Sequence, residues 1–166
     1  MQGGRPLLFL DVDGTVLPRG DPALREKIED WTAWQSPSNP HLPKIDSGHG
    51  ERLRALPCDL IWATAWMHDA NKVIAPLLGL PQLPVAGLPD APAEDLAGRL
   101  HWKTRALVAT AGGRPFAWLD DELTDLDHAW VTAHHPGWAL LHHVDSAVGL
   151  TGADLAIVED WLVLQP

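Results

Sequence analysis

The stretch Leu7-Leu8-Phe9-Leu10-Asp11-Val12-Asp13-Gly14-Thr15 passes from four consecutive apolar residues into two carboxylates. A short apolar run bounded by turn formers reads as a buried strand, here from about Pro6 to Asp11. Such a strand has little reason to end in acids unless something positive sits there, and a divalent cation, alone or with a phosphate, is the simplest partner. Residues two apart in an extended chain share a face, so Asp11 and Asp13 can converge on one ligand. Gly14 lets the backbone turn sharply and approach it. Asp11 then reads as a nucleophile and Asp13 as an acid/base, beside the plainer reading of an Asx-rich turn closing a strand.

Outward from this stretch, apolar segments alternate with amphipathic ones, which predicts an α/β fold: a Rossmann-like three-layer domain around a mainly parallel sheet. Asp21-Pro22 reads as an N-cap followed by a first-turn proline, opening a helix to about Trp34. Residues 35–50 read as loop, with an extended piece around His41 to Ile45, and a helix spans Gly50 to Leu56. A second strand covers Asp59 to Thr64. Ala70, Val73, Ile74, Leu77 and Leu78 then follow helical spacing. Pro76 interrupts that face and predicts a kink or an early end. Leu83 to Ala86 is a short strand candidate, Glu94 to Thr110 a helix closed by Gly112-Gly113, and Phe116 to Leu119 a strand ending in Asp120 and Asp121. Leu123, Leu126 and Trp130 form a helical stripe, Trp138 to Val144 a last strand, and Thr151 to Asp154 a capping box for a final helix carrying Leu155, Val158 and Leu162.

Composition bounds the rest. A chain of 166 residues, 46% hydrophobic and 20% charged, suits one domain over residues 1–166, with a loop or flap insertion around 18–50. The single cysteine, Cys58, excludes an internal disulfide or a multi-thiolate zinc site and reads as a small buried hydrophobe. A formal charge of −10 argues against a general nucleic-acid-binding surface. With no signal-peptide pattern and no membrane-length apolar run, the expected location is cytoplasmic.

Three strands thus end in polar residues on one side: Asp11 with Asp13, Thr64, and Asp120 with Asp121. In a doubly wound sheet, ligands bind beyond the carboxyl ends of the strands. In order along the chain, DVDGT, the strand ending in Thr64, Lys103 on a helix, and WLDDE resemble the four motifs of the haloacid dehalogenase-like hydrolases. WLDD, Ala63-Thr64-Ala65-Trp66 and Val148-Gly149-Leu150-Thr151 look, more narrowly, like a subgroup associated with RNA-repair polypeptides. The resemblance implies a phosphatase in which Asp11 attacks phosphorus and forms an aspartyl-phosphate. It makes Asp13 the general acid/base, Thr64 a donor to a phosphoryl oxygen, and Lys103 the group that neutralises charge. Asp120 and Asp121, with Asp11 and the Asp13 carbonyl, would hold Mg²⁺, one of the two acids serving instead to orient the lysine.

Plainer readings stand beside these. Thr64 is also an ordinary strand end, Arg99, Arg105 and Arg114 rival Lys103, and Asp120-Asp121-Glu122 suits a helix first turn. The adjacent histidine pairs, His134-His135 and His142-His143, give no ligand geometry if they lie in strands, where neighbours face opposite ways. Trp62, Trp118 and Trp161 suit a core, while Trp66 and Trp102 either rim the crevice or fill the core. Only 43 residues separate Thr15 from Asp59 and 38 separate Thr64 from Lys103, too few for a cap domain once core helices are supplied. The site is therefore expected to be open, suiting a large phosphorylated substrate such as a nucleic-acid end or a phosphoprotein, with small phosphates covered by residues 20–50 as the other option. A receiver-like signalling domain would place its acidic pair before the phosphorylated Asp, opposite to the order here. A non-catalytic phosphate-binding module would not need the intact acids.

Overall fold

The structure is a computed structural model that describes residues 4–20, 30–91 and 98–165. Four strands, β1 (Leu7–Leu10), β2 (Asp59–Trp62), β3 (Phe116–Asp120) and β4 (Ala139–His143), form one parallel sheet in the order β2-β1-β3-β4. β1 lies inside, with Leu10 in register with both Trp62 and Leu119. Every residue of β1 and β3 is buried, as strands covered on both faces require.

The two-residue period of the strands divides the core. Leu8, Leu10, Ala117 and Leu119 face one layer, and Leu7, Phe9, Phe116 and Trp118 face the other. The first layer packs against α2 (Gly48–Ala55) through Leu53, α3 (Ala75–Leu78) through Leu78, and α6 (Gly152–Val163) through Leu155, Val158 and Leu162. Across the sheet, α4 (Thr104–Ala111) contributes Leu107 and Ala111, and α5 (Asp125–His134) contributes Val131. This is the three-layer α/β arrangement anticipated above. Among the described residues, no further sheet intervenes between β1 and β2 or between β2 and β3. No helix there is long and apolar enough to cross a membrane.

The chain leaves β1 for β2 on one side and returns to β3 on the other. The direction of winding therefore reverses between β1 and β3, which is where open α/β sheets bind ligands. Asp11 and Asp120 sit at that reversal.

Several local expectations need correction. Residues 21–29 and 92–97, with the expected cap at Asp21-Pro22 and the start of the Glu94 helix, lie outside the described residues. The described helix near the first of these is α1 (Trp31–Trp34), capped by the Asp30 carboxylate, which accepts from Thr32 and Ala33 N–H. His41 to Ile45 is not extended: Leu42–Lys44 is a 3₁₀ turn opened by Pro43. The interruption expected at Pro76 takes the form of a change of helix type just before it and an end at Leu78, two residues after it. Residues Ala70–Ile74 form a wider π turn, and Pro76 falls in the first turn of α3, where its missing N–H costs nothing. Leu77 is consequently turned outward, 42% exposed. The Leu83 to Ala86 strand reduces to one bridge between Val85 and Trp62.

Of the stripe at Leu123, Leu126 and Trp130, Leu123 is buried and Trp130 packs on the core, but Leu126 faces outward. The capping box of Thr124 and Asp127 starts α5 so that Asp127 and Val131 point inward and Leu126 stays exposed. Inward-facing Asp127 is fully used. Its Oδ1 accepts from His101 N–H at 2.8 Å and Thr104 Oγ1 at 2.9 Å, while Oδ2 accepts from Thr124 N–H and Oγ1. It thereby pins the segment carrying Lys103.

Asp127→Ala strands a buried N–H and a hydroxyl, so it is expected to cost about 2–3 kcal/mol, read from the midpoint of urea unfolding. A second outcome concerns the cap of α6, where Asp154 accepts from His142 Nε2 at 2.7 Å and from Thr151 N–H and Oγ1 at 2.8 Å. Burial works against the charged form, but these bonds outweigh it and hold the carboxyl below its ordinary range. A depressed folded-state value means that the stabilisation is present at neutral pH and is lost as pH falls through that value. Wild type and Asp154→Asn should therefore differ in unfolding midpoint at pH 7 and converge toward pH 3.

Candidate active site

The ends of β1 and β3 bring their acids together because the ladder continues past the strands. Asp11 N–H donates to the Leu119 carbonyl at 3.2 Å, and Ala63 N–H donates to the Leu10 carbonyl at 2.9 Å. The next residues after Leu10 and Leu119 are Asp11 and Asp120. Beyond Asp11 the chain folds back in a tight loop, with Gly14 N–H on the Leu17 carbonyl and Leu17 N–H on the Val12 carbonyl, while Val12, Val16 and Leu17 fill the core. Gly14 is required twice over: its φ is +77°, and a Cβ would lie 2.2 Å from Asp121 Oδ2.

Lys103, the residue before α4, reaches into this cluster. Its Nζ donates to Asp11 Oδ1 at 2.7 Å and to Asp120 Oδ2 at 2.8 Å, and all three residues are buried. The rival cations stand elsewhere: Arg114 pairs with Asp59, and Arg105 lies over Trp130. Thr15 Oγ1 donates to the other Asp11 oxygen at 3.1 Å. Asp120 Oδ1 accepts the Glu122 N–H, and Arg19 Nε lies 3.5 Å from Asp121 Oδ2.

Carboxylate oxygens of Asp11, Asp120 and Asp121 all lie within 4.8 Å of one another. Three acids against one ammonium and a more distant guanidinium leave the cluster short of positive charge. Burial, then the charge of Asp120, pushes Asp11 up to about 7 against the pull of Lys103. Burial, then Asp11 and Asp120, pushes Asp121 up to about 9, with Arg19 opposing. Asp120 goes the other way: burial disfavours its charge, but Lys103 and His101 outweigh it and hold the carboxyl low. Burial likewise disfavours the charge on Lys103, and Asp11 and Asp120 overcome it. An all-oxygen set of three close acids fits a small hard divalent cation such as Mg²⁺.

The Asp13 carboxylate takes a different set of partners, while still feeling the charges of Arg19 and Lys103. Its Oδ1 accepts from Trp34 Nε1 at 2.7 Å and its Oδ2 from Trp66 Nε1 at 3.1 Å. Burial raises its carboxyl above the ordinary range, and the two indole bonds only partly offset this. Thr64 is buried beyond the end of β2, where its Oγ1 accepts the Trp66 N–H at 3.1 Å. Trp66 is thus 1% exposed and still reaches the site by its indole edge, while Trp102 is partly buried with its ring 5.4 Å from Lys103 Nζ. Trp62 and Trp118 are fully buried, and Trp161 packs on the core.

Sequence reasoning did not single out Trp34, Arg19 or Asp127. Trp34 and Arg19 belong to none of the quoted motifs, and Asp127 was masked by an apolar stripe that looked sufficient. Thr15 stood inside the first motif without a role. For Trp66 the sequence offers a place at the crevice rim or in the core, and not its part as an N–H donor to Asp13.

No curated protein and no solved structure matched the chain. A family model described as the HAD domain in Swiss Army Knife RNA repair proteins matches residues 7–155, from the first residue of β1 into α6. With the parallel sheet and the acids gathered at its reversal point, that match covers most of the chain: it belongs to the haloacid dehalogenase-like (HAD) hydrolase superfamily, in the family of HAD domains of Swiss Army Knife RNA repair proteins.

Proposed function

We propose that the protein is a Mg²⁺-dependent phosphatase acting on phosphomonoesters through Asp11, with a phosphorylated RNA end as its substrate. The observation that carries this reading is the Asp11 carboxylate, buried at the tip of β1, gripped by Lys103 and grouped with Asp120 and Asp121. Asp11, Asp120 and Asp121, with the Asp13 carbonyl, would hold the cation. When bound, it supplies charge to draw in the phosphate and to stabilise charge developing on its oxygens.

An Asp11 oxygen attacks phosphorus, forming an O–P bond as the bond to the leaving oxygen breaks. Asp13 gives its proton to that leaving oxygen. Its raised proton affinity suits the task, since an ordinary carboxyl is almost fully ionised at neutral pH. Water then attacks the aspartyl-phosphate, Asp13 takes up the water proton, and the Asp11 O–P bond breaks to release phosphate. Lys103 holds Asp11 in line and offsets negative charge in both steps. The Thr64 hydroxyl accepts from Trp66, so its own proton remains available for a phosphoryl oxygen. Asp120 orients Lys103.

RNA repair in the matching family's description favours a nucleic-acid end over a small metabolite. The intervals of 43 and 38 residues between the motifs, too short for an added cap domain, favour a large substrate. At −10 net charge, attraction to a polyanion must come from the site itself.

Turnover of p-nitrophenyl phosphate should require Mg²⁺ and fall to background in Asp11→Asn; equal activity in that variant would remove the assigned nucleophile. Asp13→Asn should lower turnover about 10²–10⁴-fold. Among natural substrates, a 3′- or 5′-phosphorylated RNA oligonucleotide should give a higher kcat/KM than sugar phosphates or phosphopeptides.

A further inference from the structure

Asp13 is held by two tryptophans from separate parts of the chain. Trp34 comes from α1, braced by Asn39 Nδ2 on its carbonyl at 2.8 Å and by the His41 ring at 5.2 Å. Trp66 comes from the turn after β2, fixed by the Thr64 hydroxyl. Both indoles are buried, and a buried indole N–H seeks an acceptor. Here both find the same carboxylate, one on each oxygen.

The arrangement suits a group that must change its proton. The final torsion of an aspartate is broad and roughly two-fold, so packing alone sets the carboxylate plane poorly. Two donors on opposite oxygens fix that plane. An indole is also neutral and donates only. A lysine or arginine in its place would fix the plane too, but would favour the anion strongly and oppose protonation.

We propose that Trp34 and Trp66 are positioning residues that hold the Asp13 carboxyl in the plane from which it delivers a proton to the leaving oxygen. This rests on the phosphatase reading and assigns two residues to its proton-transfer step. Neither tryptophan touches the phosphate; each acts through Asp13.

The test uses the dependence of kcat/KM on the leaving group, because a good leaving group needs little help from a general acid. Wild type, Trp34→Phe, Trp66→Phe and Asp13→Asn are compared on p-nitrophenyl phosphate and on unsubstituted phenyl phosphate. Trp62→Phe is the control, since Trp62 is equally buried but its indole donates to Asn71 at 2.9 Å. Each clamp variant should lose about tenfold on phenyl phosphate, the scale of a small misplacement, and under about threefold on p-nitrophenyl phosphate. Asp13→Asn should show the same asymmetry more strongly, and Trp62→Phe should keep the wild-type ratio.

Equal losses on the two esters, or none, would overturn the positioning role while leaving the phosphatase reading intact. A wild type inactive on both esters with Mg²⁺ would instead sink that reading, and this inference with it. Trp34 and Trp66 come from separate segments and each holds its own oxygen of Asp13, so either variant that folds decides the matter by itself.

Discussion

The ammonium of Lys103, shared between Asp11 and Asp120 away from water, is the interaction on which the rest of the structure turns. Taking a carboxylate out of water costs several kcal/mol, and two such groups facing each other cost more. Without a cation between them, β1 and β3 could not bring their tips together at the reversal of the sheet. The lysine is itself held from behind. Asp127, buried on α5, ties down His101 and Thr104 on either side of it. Two acids on strands, one base before a helix and a third buried acid on another helix thus form a single mechanical unit.

Asp11 and Asp13 are two residues apart yet live in different chemical worlds. Asp11 faces ammonium and fellow carboxylates, where its charge is contested from both sides. Asp13 is hydrogen-bonded by two neutral donors, with Arg19 and Lys103 acting on it only through their charge. Opposite demands on two nearby acids are commonly met in this way, by environment and not by residue type. The loop closes directly behind them: Gly14, with its positive φ, leaves room for the Asp121 carboxylate and turns the chain immediately after Asp13.

How much of this could be read in advance follows from what each residue answers to. Leu7 to Leu10 and Phe116 to Leu119 are apolar throughout because both faces are covered, and such runs are visible without coordinates. Acids directly after both runs made the site legible in outline. The helices were harder. At Ala70 to Leu78 the sequence marked an interruption at Pro76 but not its form, a π turn before the proline, and Leu77 is left exposed. At α5 a capping box fixed the phase and put a carboxylate where a leucine had been expected inside. Trp34 was illegible for another reason: its role depends on a fold-back of some twenty residues onto Asp13, and nothing local in Trp31 to Trp34 encodes that partner.

The order of the strands also bears on how the chain reaches this state during synthesis. β1 emerges first, but its neighbours are Asp59–Trp62 and Phe116–Asp120. Pairing over such sequence distances is slow. Leu7 to Leu10 has no strand partner until Asp59–Trp62 has been made, and an unpaired apolar strand is an aggregation hazard of the kind charged gatekeepers suppress. Asp11 and Asp13 stand directly behind that run. Two charges directly after an apolar strand are the kind of feature that opposes its pairing with another copy.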